Sequence, residues 1–207
     1  MNRMPVIVIG VFLTFLSSWL GLVAYPYFNL ARYTPVVDEN TGDINPPPLS
    51  GLAERGQQVY ASAGCVYCHS QQVRQVGYGS DLARGWGSRP TVARDYMRES
   101  PVFLGTMRTG PDLTNIGARQ PSAMWHHQHL YQPAVVSPGS IMPSYRYLYE
   151  TRKIEGQRSA EAIDLLPPDK TPEGYEIVPT YEAEALVAYL VSLNRNYPLP
   201  EAPEPPQ

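Results

Sequence analysis

The first strong pattern along the chain is an unbroken apolar run from Val6 to Ala24 (VIVIGVFLTFLSSWLGLVA), nineteen residues without a charge. An α-helix needs about 20 such residues to cross roughly 30 Å of hydrocarbon, so the run predicts a membrane-spanning helix. A cleaved leader would carry a shorter apolar core, about 7–15 residues, ending in a small-x-small site. Here Leu22 stands where that site needs a small residue. The expectation is an uncleaved anchor over residues 1–33, with Tyr25-Pro26-Tyr27-Phe28 as an aromatic belt at the interface.

Past the anchor the pattern turns polar. Residues 34–50, including the Gly- and Pro-rich DENTGDINPPPLS, read as a semi-rigid linker. From Leu52 to Ala63 small and apolar positions recur at helical spacing, and the predicted helix runs to Gly64. Gln72 to Gly117 has no sustained period and predicts loops. A second helix is expected from Ser122 to Tyr131, capped by Ser122 and stopped near Pro133. Residues 150–179 are charged and proline-bearing, and predict a short helix around Ser159–Leu166 followed by a loop. Tyr181 to Asn194 is the clearest helix of the polar part, with Tyr181, Ala185, Leu186, Tyr189, Leu190 and Leu193 on one stripe. Residues 197–207 end in EAPEPPQ and read as a disordered tail. The fold class expected is mainly α: one transmembrane helix plus a loop-rich helical domain over 51–196, with 150–179 inserted in it.

Composition sharpens this in two ways. Twenty-two prolines in 207 residues is about twice ordinary usage, which favours loops and extended segments. A net charge of −3 is too small to suggest a nucleic-acid or anionic-membrane surface, so nucleic acid is not an expected partner, whereas the apolar anchor makes membrane lipid one.

The candidate chemistry lies in the only two cysteines. Cys65 and Cys68 are followed at once by His69, and C-x-x-C-H is the pattern of covalent c-type haem attachment. Each thiol can add to one haem vinyl group when the peptide forms a helical turn, and that turn places His69 under the iron. Thiol-redox chemistry expects a βαβ surround, whereas the preceding sequence is helical. A structural zinc site needs four ligands, and three donors within five residues suit tetrahedral geometry poorly. A disulfide across two residues would constrain little of the unfolded chain.

For the second axial ligand the candidate is Met142, in the turn-rich Ser140-Ile141-Met142-Pro143. Met opposite His gives a raised-potential electron-transfer centre, and Met107 and then His129 are the rivals. Further candidate haem contacts are Pro111, whose carbonyl could take the His69 ring N–H, with Leu113 in the same turn. Arg74 is a candidate propionate partner, and Tyr145, Trp86 and Trp125 are candidate edge aromatics. His126, His127 and His129 lack the i, i+4 spacing of a helical metal face, and together with 150–179 are read as a docking surface.

These residues carry a family likeness. The helix at Leu52–Tyr60, the haem motif, Gly110–Leu113, Met142 and the Leu186–Leu190 helix resemble a class I cytochrome c, which implies first and last helices crossing near Gly56 and Tyr60 against Leu186 and Tyr189. CVYCHSQQVR (65–74), RTGPDLTNIG (108–117), Trp125 with His129-Leu130, and Met142-Pro143-Ser144-Tyr145 resemble the FixO (CcoO) subunit of cbb-type haem–copper cytochrome c oxidases. That resemblance implies one covalent haem c with His69 and Met142 as axial ligands. It also implies an inner-membrane anchor with a cytoplasmic N-terminus and a periplasmic haem domain. The implied partners are the catalytic haem–copper subunit and other cytochrome c subunits. On this reading the chain has no catalytic site of its own. The alternatives are the monohaem subunit of a nitric oxide reductase or of another quinol-oxidising complex, and, from a different class, a haem-based sensor.

Overall fold

The structure is a computed structural model that describes residues 3–202. Its contacts divide the chain into two compact units, Met1–Pro46 with Val92–Glu99 and Pro47–Thr91 with Ser100–Gln207.

In the first unit, helix α1 (Met4–Trp19) passes through a wider π-turn at Leu20–Ala24 into α2 (Tyr25–Leu30). Together they make one apolar rod, Met4–Leu30, of 27 residues, about 40 Å at 1.5 Å per residue. Apart from Ala24, its many apolar side chains are largely exposed, which suits lipid rather than water. The hydroxyls of Thr14 and Ser17 donate back to the Gly10 and Thr14 carbonyls, each at 2.9 Å, so the rod shows little free polarity. The π-turn has a local cause. Pro26 has no N–H to give the ladder and its ring crowds the carbonyl of Leu22, so the helix must slacken there.

The expected linker folds. Strands β1 (Val36–Val37) and β2 (Ile44–Asn45) pair antiparallel, Val36 opposite Asn45. Asp38 closes the turn: its carboxylate accepts the Asn40 N–H at 2.8 Å and its carbonyl accepts the Gly42 N–H at 2.8 Å. Gly42 sits at φ 77°, open to glycine. A short 3₁₀ turn, Ala93–Tyr96, joins this unit. The Arg94 guanidinium lies 4.5 Å over the Tyr33 ring and donates to the Thr34 carbonyl, and Arg98 Nε donates to the Pro46 carbonyl at 2.9 Å.

The second unit is built on two crossed helices, α3 (Gly51–Ser62) and α7 (Tyr181–Ser192). Each starts on a hydroxyl cap: Ser50 Oγ accepts the Ala53 N–H at 3.2 Å and Thr180 Oγ1 accepts the Ala183 N–H at 3.3 Å. The crossing has no space for a side chain at residue 56, where a Cβ would fall 1.9 Å from the Ala185 carbonyl oxygen. Beside it Tyr60 and Tyr189 meet edge to face at 5.5 Å. Tyr181 lies at the exposed start of α7, outside the buried stripe. Helices α4 (Ile116–Arg119), α5 (Ala123–Tyr131) and α6 (Pro133–Val136) follow. Gly117 is pressed on α7 as Gly56 is, its hypothetical Cβ 2.0 Å from the Val191 carbonyl oxygen. Ser122 caps α5 through the Trp125 N–H at 3.3 Å, and Pro133 separates α5 from α6.

Residues 150–179 differ from the expectation. No helix forms at 159–166; instead β3 (Tyr149–Lys153) and β4 (Tyr175–Pro179) pair antiparallel in the register Tyr149 to Pro179. β4 buries Ile177 and Val178 while β3 is a polar outer strand. Ile163 packs in the core, its N–H on the Ile177 carbonyl at 2.9 Å. The expected disordered tail is also placed in part: Leu199 and Ala202 are buried, and the Tyr197 carbonyl accepts from Arg89 Nε at 2.7 Å. Residues 203–207 lie outside the described residues.

Candidate functional site

Helix α3 ends at Gly64, whose φ of 74° is a left-handed cap that glycine adopts without strain. The chain then makes one tight turn. The Cys68 and His69 N–H groups both donate to the Cys65 carbonyl, at 3.1 and 2.9 Å. Cys65, Cys68 and His69 thus share a single helical turn, as the attachment pattern requires. Cys65 is half-buried and Cys68 exposed. Burial pushes the Cys65 thiol up to about 11, the reverse of the depressed value a redox-active C-x-x-C needs.

The His69 ring is held by the opposite loop. Its Nδ1 lies 2.7 Å from the Pro111 carbonyl. A carbonyl can only accept, so Nδ1 carries the proton and Nε2 keeps its lone pair. Burial lowers the imidazole's proton affinity, with the Pro111 contact and the Asp112 charge acting in the other direction. Gly110 makes the approach possible: a Cβ there would lie 2.3–2.8 Å from three atoms of the His69 ring. The two loops are laced together, Gly110 N–H to the Cys68 carbonyl at 2.9 Å and Leu113 N–H to the Ser70 carbonyl at 2.8 Å.

Met142 is partly buried and packs on the core cluster in company with Cys65, Val66 and Tyr145. Met107, its rival, is exposed. The Tyr145 backbone N–H is fixed on the Leu130 carbonyl at 2.8 Å, and burial, with the neighbouring Cys65 next, pushes its phenol up to about 12. Leu113 is buried.

Arg74 has other company. Its N–H donates to Asp81 at 2.7 Å, and its side chain passes Gly79. Two further side chains lie near His69. Arg119 donates to the Asp112 carbonyl, yet its Nε is buried without a hydrogen-bond partner. His129 stacks flat on Trp125, ring centroids 4.8 Å apart, and its Nδ1 is also buried without a partner. Both are near enough to His69 for charge to act between them. Trp86 instead lies under the Arg84 and Arg108 guanidinium groups, at 5.0 and 5.3 Å.

The docking-surface reading of the histidines does not survive. His126 and His127 are 3 % and 5 % exposed. His126 bonds the Gln120 carbonyl at 2.8 Å, and His127 Nδ1 meets the Tyr149 hydroxyl at 3.1 Å. The spacing HHxH on a short helix gave no sign of which face would be inside; the β3 tyrosine that buries His127 decides it.

These residues fit a haem. A helical turn presents two thiols and an imidazole whose tautomer leaves Nε2 free for iron. A glycine cradle accommodates the ring, Cys65 and Met142 both pack against the core cluster, and two buried nitrogens lack partners within the protein. In comparison with known proteins, the family model described as cytochrome c oxidase, mono-heme subunit/FixO, matches residues 34–166. That span holds every candidate haem residue and ends before β4 and α7. No curated protein matches the chain.

Proposed function

Because the chain belongs to the family of FixO mono-haem subunits of cytochrome c oxidase, we propose that it carries single electrons through one haem c to the catalytic haem–copper subunit. The observation that carries this reading is the 2.7 Å bond from His69 Nδ1 to the Pro111 carbonyl, which leaves Nε2 as an iron donor. Cys65 and Cys68 would hold the group through thioether bonds, and His69 and Met142 would supply the protein's two donors to iron. When bound, the haem supplies a one-electron ferric–ferrous couple whose potential a His/Met ligand pair raises.

The chain's residues do the remaining work. Gly110 leaves room for the imidazole, and Pro111 keeps its proton on Nδ1. Leu113 and the ring of Tyr145 keep water from the ligand turn, which strengthens the local electrostatics. Arg119 brings its buried Nε–H to a propionate, the role the sequence alone suggested for Arg74. The rod at Met4–Leu30 anchors the protein in the inner membrane. The haem unit faces the periplasm, since bacteria attach covalent haem outside the cytoplasm.

Two experiments test this. Purification in mild detergent from native membranes, followed by mass spectrometry, should recover a many-span haem–copper subunit; recovery of a nitric oxide reductase instead would overturn the oxidase assignment for this chain. In the reduced protein, carbon monoxide should bind slowly or not at all, whereas Met142→Ala should bind it rapidly. A fast adduct in the unaltered protein would sink the His/Met electron-transfer reading.

A further inference from the structure

The two residues that make the ligand hydrogen bond, His69 and Pro111, are each followed by a residue of one buried network. Ser70 follows His69 and Asp112 follows Pro111. Asp112 is fully shielded from solvent. Its Oδ2 accepts from the Ser70 hydroxyl at 2.7 Å and from the Gln72 N–H at 2.8 Å, and its Oδ1 accepts from the Thr114 N–H at 2.8 Å. One carboxylate therefore ties the chain just after His69 to the chain just after Pro111.

The charge on that carboxylate is only partly answered. Arg108 comes within 3.8 Å of Asp112, but its closer contacts go elsewhere. Its guanidinium pairs with Asp81, and also reaches the Ser70 hydroxyl at 3.0 Å and the Gln72 carbonyl at 2.6 Å. Asp81 is itself 1 % exposed, so two buried carboxylates share that guanidinium. Arg119, the second nearby cation, donates to the backbone carbonyl of Asp112. A buried charge acts over several ångströms with little solvent screening.

We propose that Asp112 is a positioning residue for the haem ligand, holding the Pro111 carbonyl on the His69 ring and lowering the haem's reduction potential through its buried charge. The proposal rests on the haem reading above. The direction follows from charge: a carboxylate favours the ferric state, which carries one more positive charge than the ferrous. A firmly hydrogen-bonded imidazole is also a more basic ligand, and acts in the same sense.

The test uses the full-length holoprotein in detergent. Asp112→Asn keeps the side-chain shape and the Thr114 bond but removes the charge and the Oδ2 acceptor used by Ser70 and Gln72. It should raise the haem's electron affinity about tenfold, about 59 mV for one electron. Ser70→Ala keeps the charge and removes one tie; it should shift the potential far less while speeding solvent exchange of the His69 ring N–H, read by NMR on the ferrous protein. A merely structural residue would lower stability without raising the potential. With low-spin holoprotein spectra intact, an unchanged potential in Asp112→Asn overturns the proposal and leaves the haem reading standing. If Asp112→Asn does not accumulate as holoprotein, Ser70→Ala decides, and unchanged ring N–H exchange overturns the proposal. Absence of covalent haem from the unaltered chain overturns the haem reading itself.

Discussion

His127 shows how much one contact decides. Its Nε2 lies 3.7 Å from Glu184, a distance that suggests an ion pair, yet burial favours the neutral form of both groups. It drives the imidazole down to about 4, with His126 adding to it, and raises the Glu184 carboxyl. We take burial as the stronger influence, since His127 is almost wholly covered. The sign follows. Between about pH 4 and the ordinary histidine value of 6.5, the unfolded chain binds a proton at His127 that the folded chain refuses. The contribution of His127 to stability is therefore complete above pH 6.5 and is lost as pH falls toward 4. Glu184 acts in the opposite sense just above its ordinary value, so the informative quantity is a difference between proteins. His127→Gln should flatten the fall in unfolding free energy between pH 6.5 and 4.5, measured by urea titration at several pH values. An unchanged slope would show that His127 is protonated in the fold.

At the scale of elements, the Cys65–His69 turn is positioned by helices that touch backbone to backbone. Small residues permit this: Gly56 on α3 meets Ala185 on α7, and Gly117 on α4 meets Val191. α3 leads straight into the turn bearing Cys65, and Tyr189 of α7 shares reciprocal hydrogen bonds with Gln71, at 3.0 and 3.2 Å. Any widening of the crossing thus reaches the segment just after His69. Gly56→Ala should cost about 3 kcal/mol, the upper end of ordinary overpacking, because its new methyl meets backbone rather than a movable side chain. It should appear as a lower urea midpoint at unchanged m-value. A loss below about 0.5 kcal/mol, the usual range for surface positions, would mean the crossing is looser than the structure has it.

On the whole-molecule scale, the chain divides into one unit with the apolar rod and a collar, residues 31–46 together with 92–99, and a second, helical unit. Removal of residues 1–30 should therefore give a water-soluble protein that keeps the Arg94 and Arg98 contacts. Removal of 1–46 takes away Tyr33, Thr34 and Pro46, their partners. Tryptic cleavage after Arg94 and Arg98 should then quicken at least tenfold, about 1.4 kcal/mol of lost local stability; equal cleavage of the two truncations would refute the collar. Much of this protein is legible in its linear order. The apolar helix, the C-x-x-C-H motif and helices α3, α5 and α7 rest on local periodicity, caps and a motif whose parts are adjacent, whereas the crossing of Gly56 with α7 was implied by the resemblance to class I cytochrome c. What escaped the sequence reading depends on distant partners. The β3–β4 hairpin joins strands separated by a long, charged connection, and its outer strand has no apolar alternation. Asp38 and Gly42 turned an apparent linker into a hairpin through turn chemistry hidden in a proline-rich run. The burial of Arg119 Nε and of His126 and His127 was decided by which face of a short helix the rest of the chain covers. The linear order alone placed the main helices and the C-x-x-C-H turn, because those are set by neighbours a few residues away. Only the tertiary structure decided which charges surround His69, because burial and electrostatic partnership are properties of contacts between segments far apart in the chain.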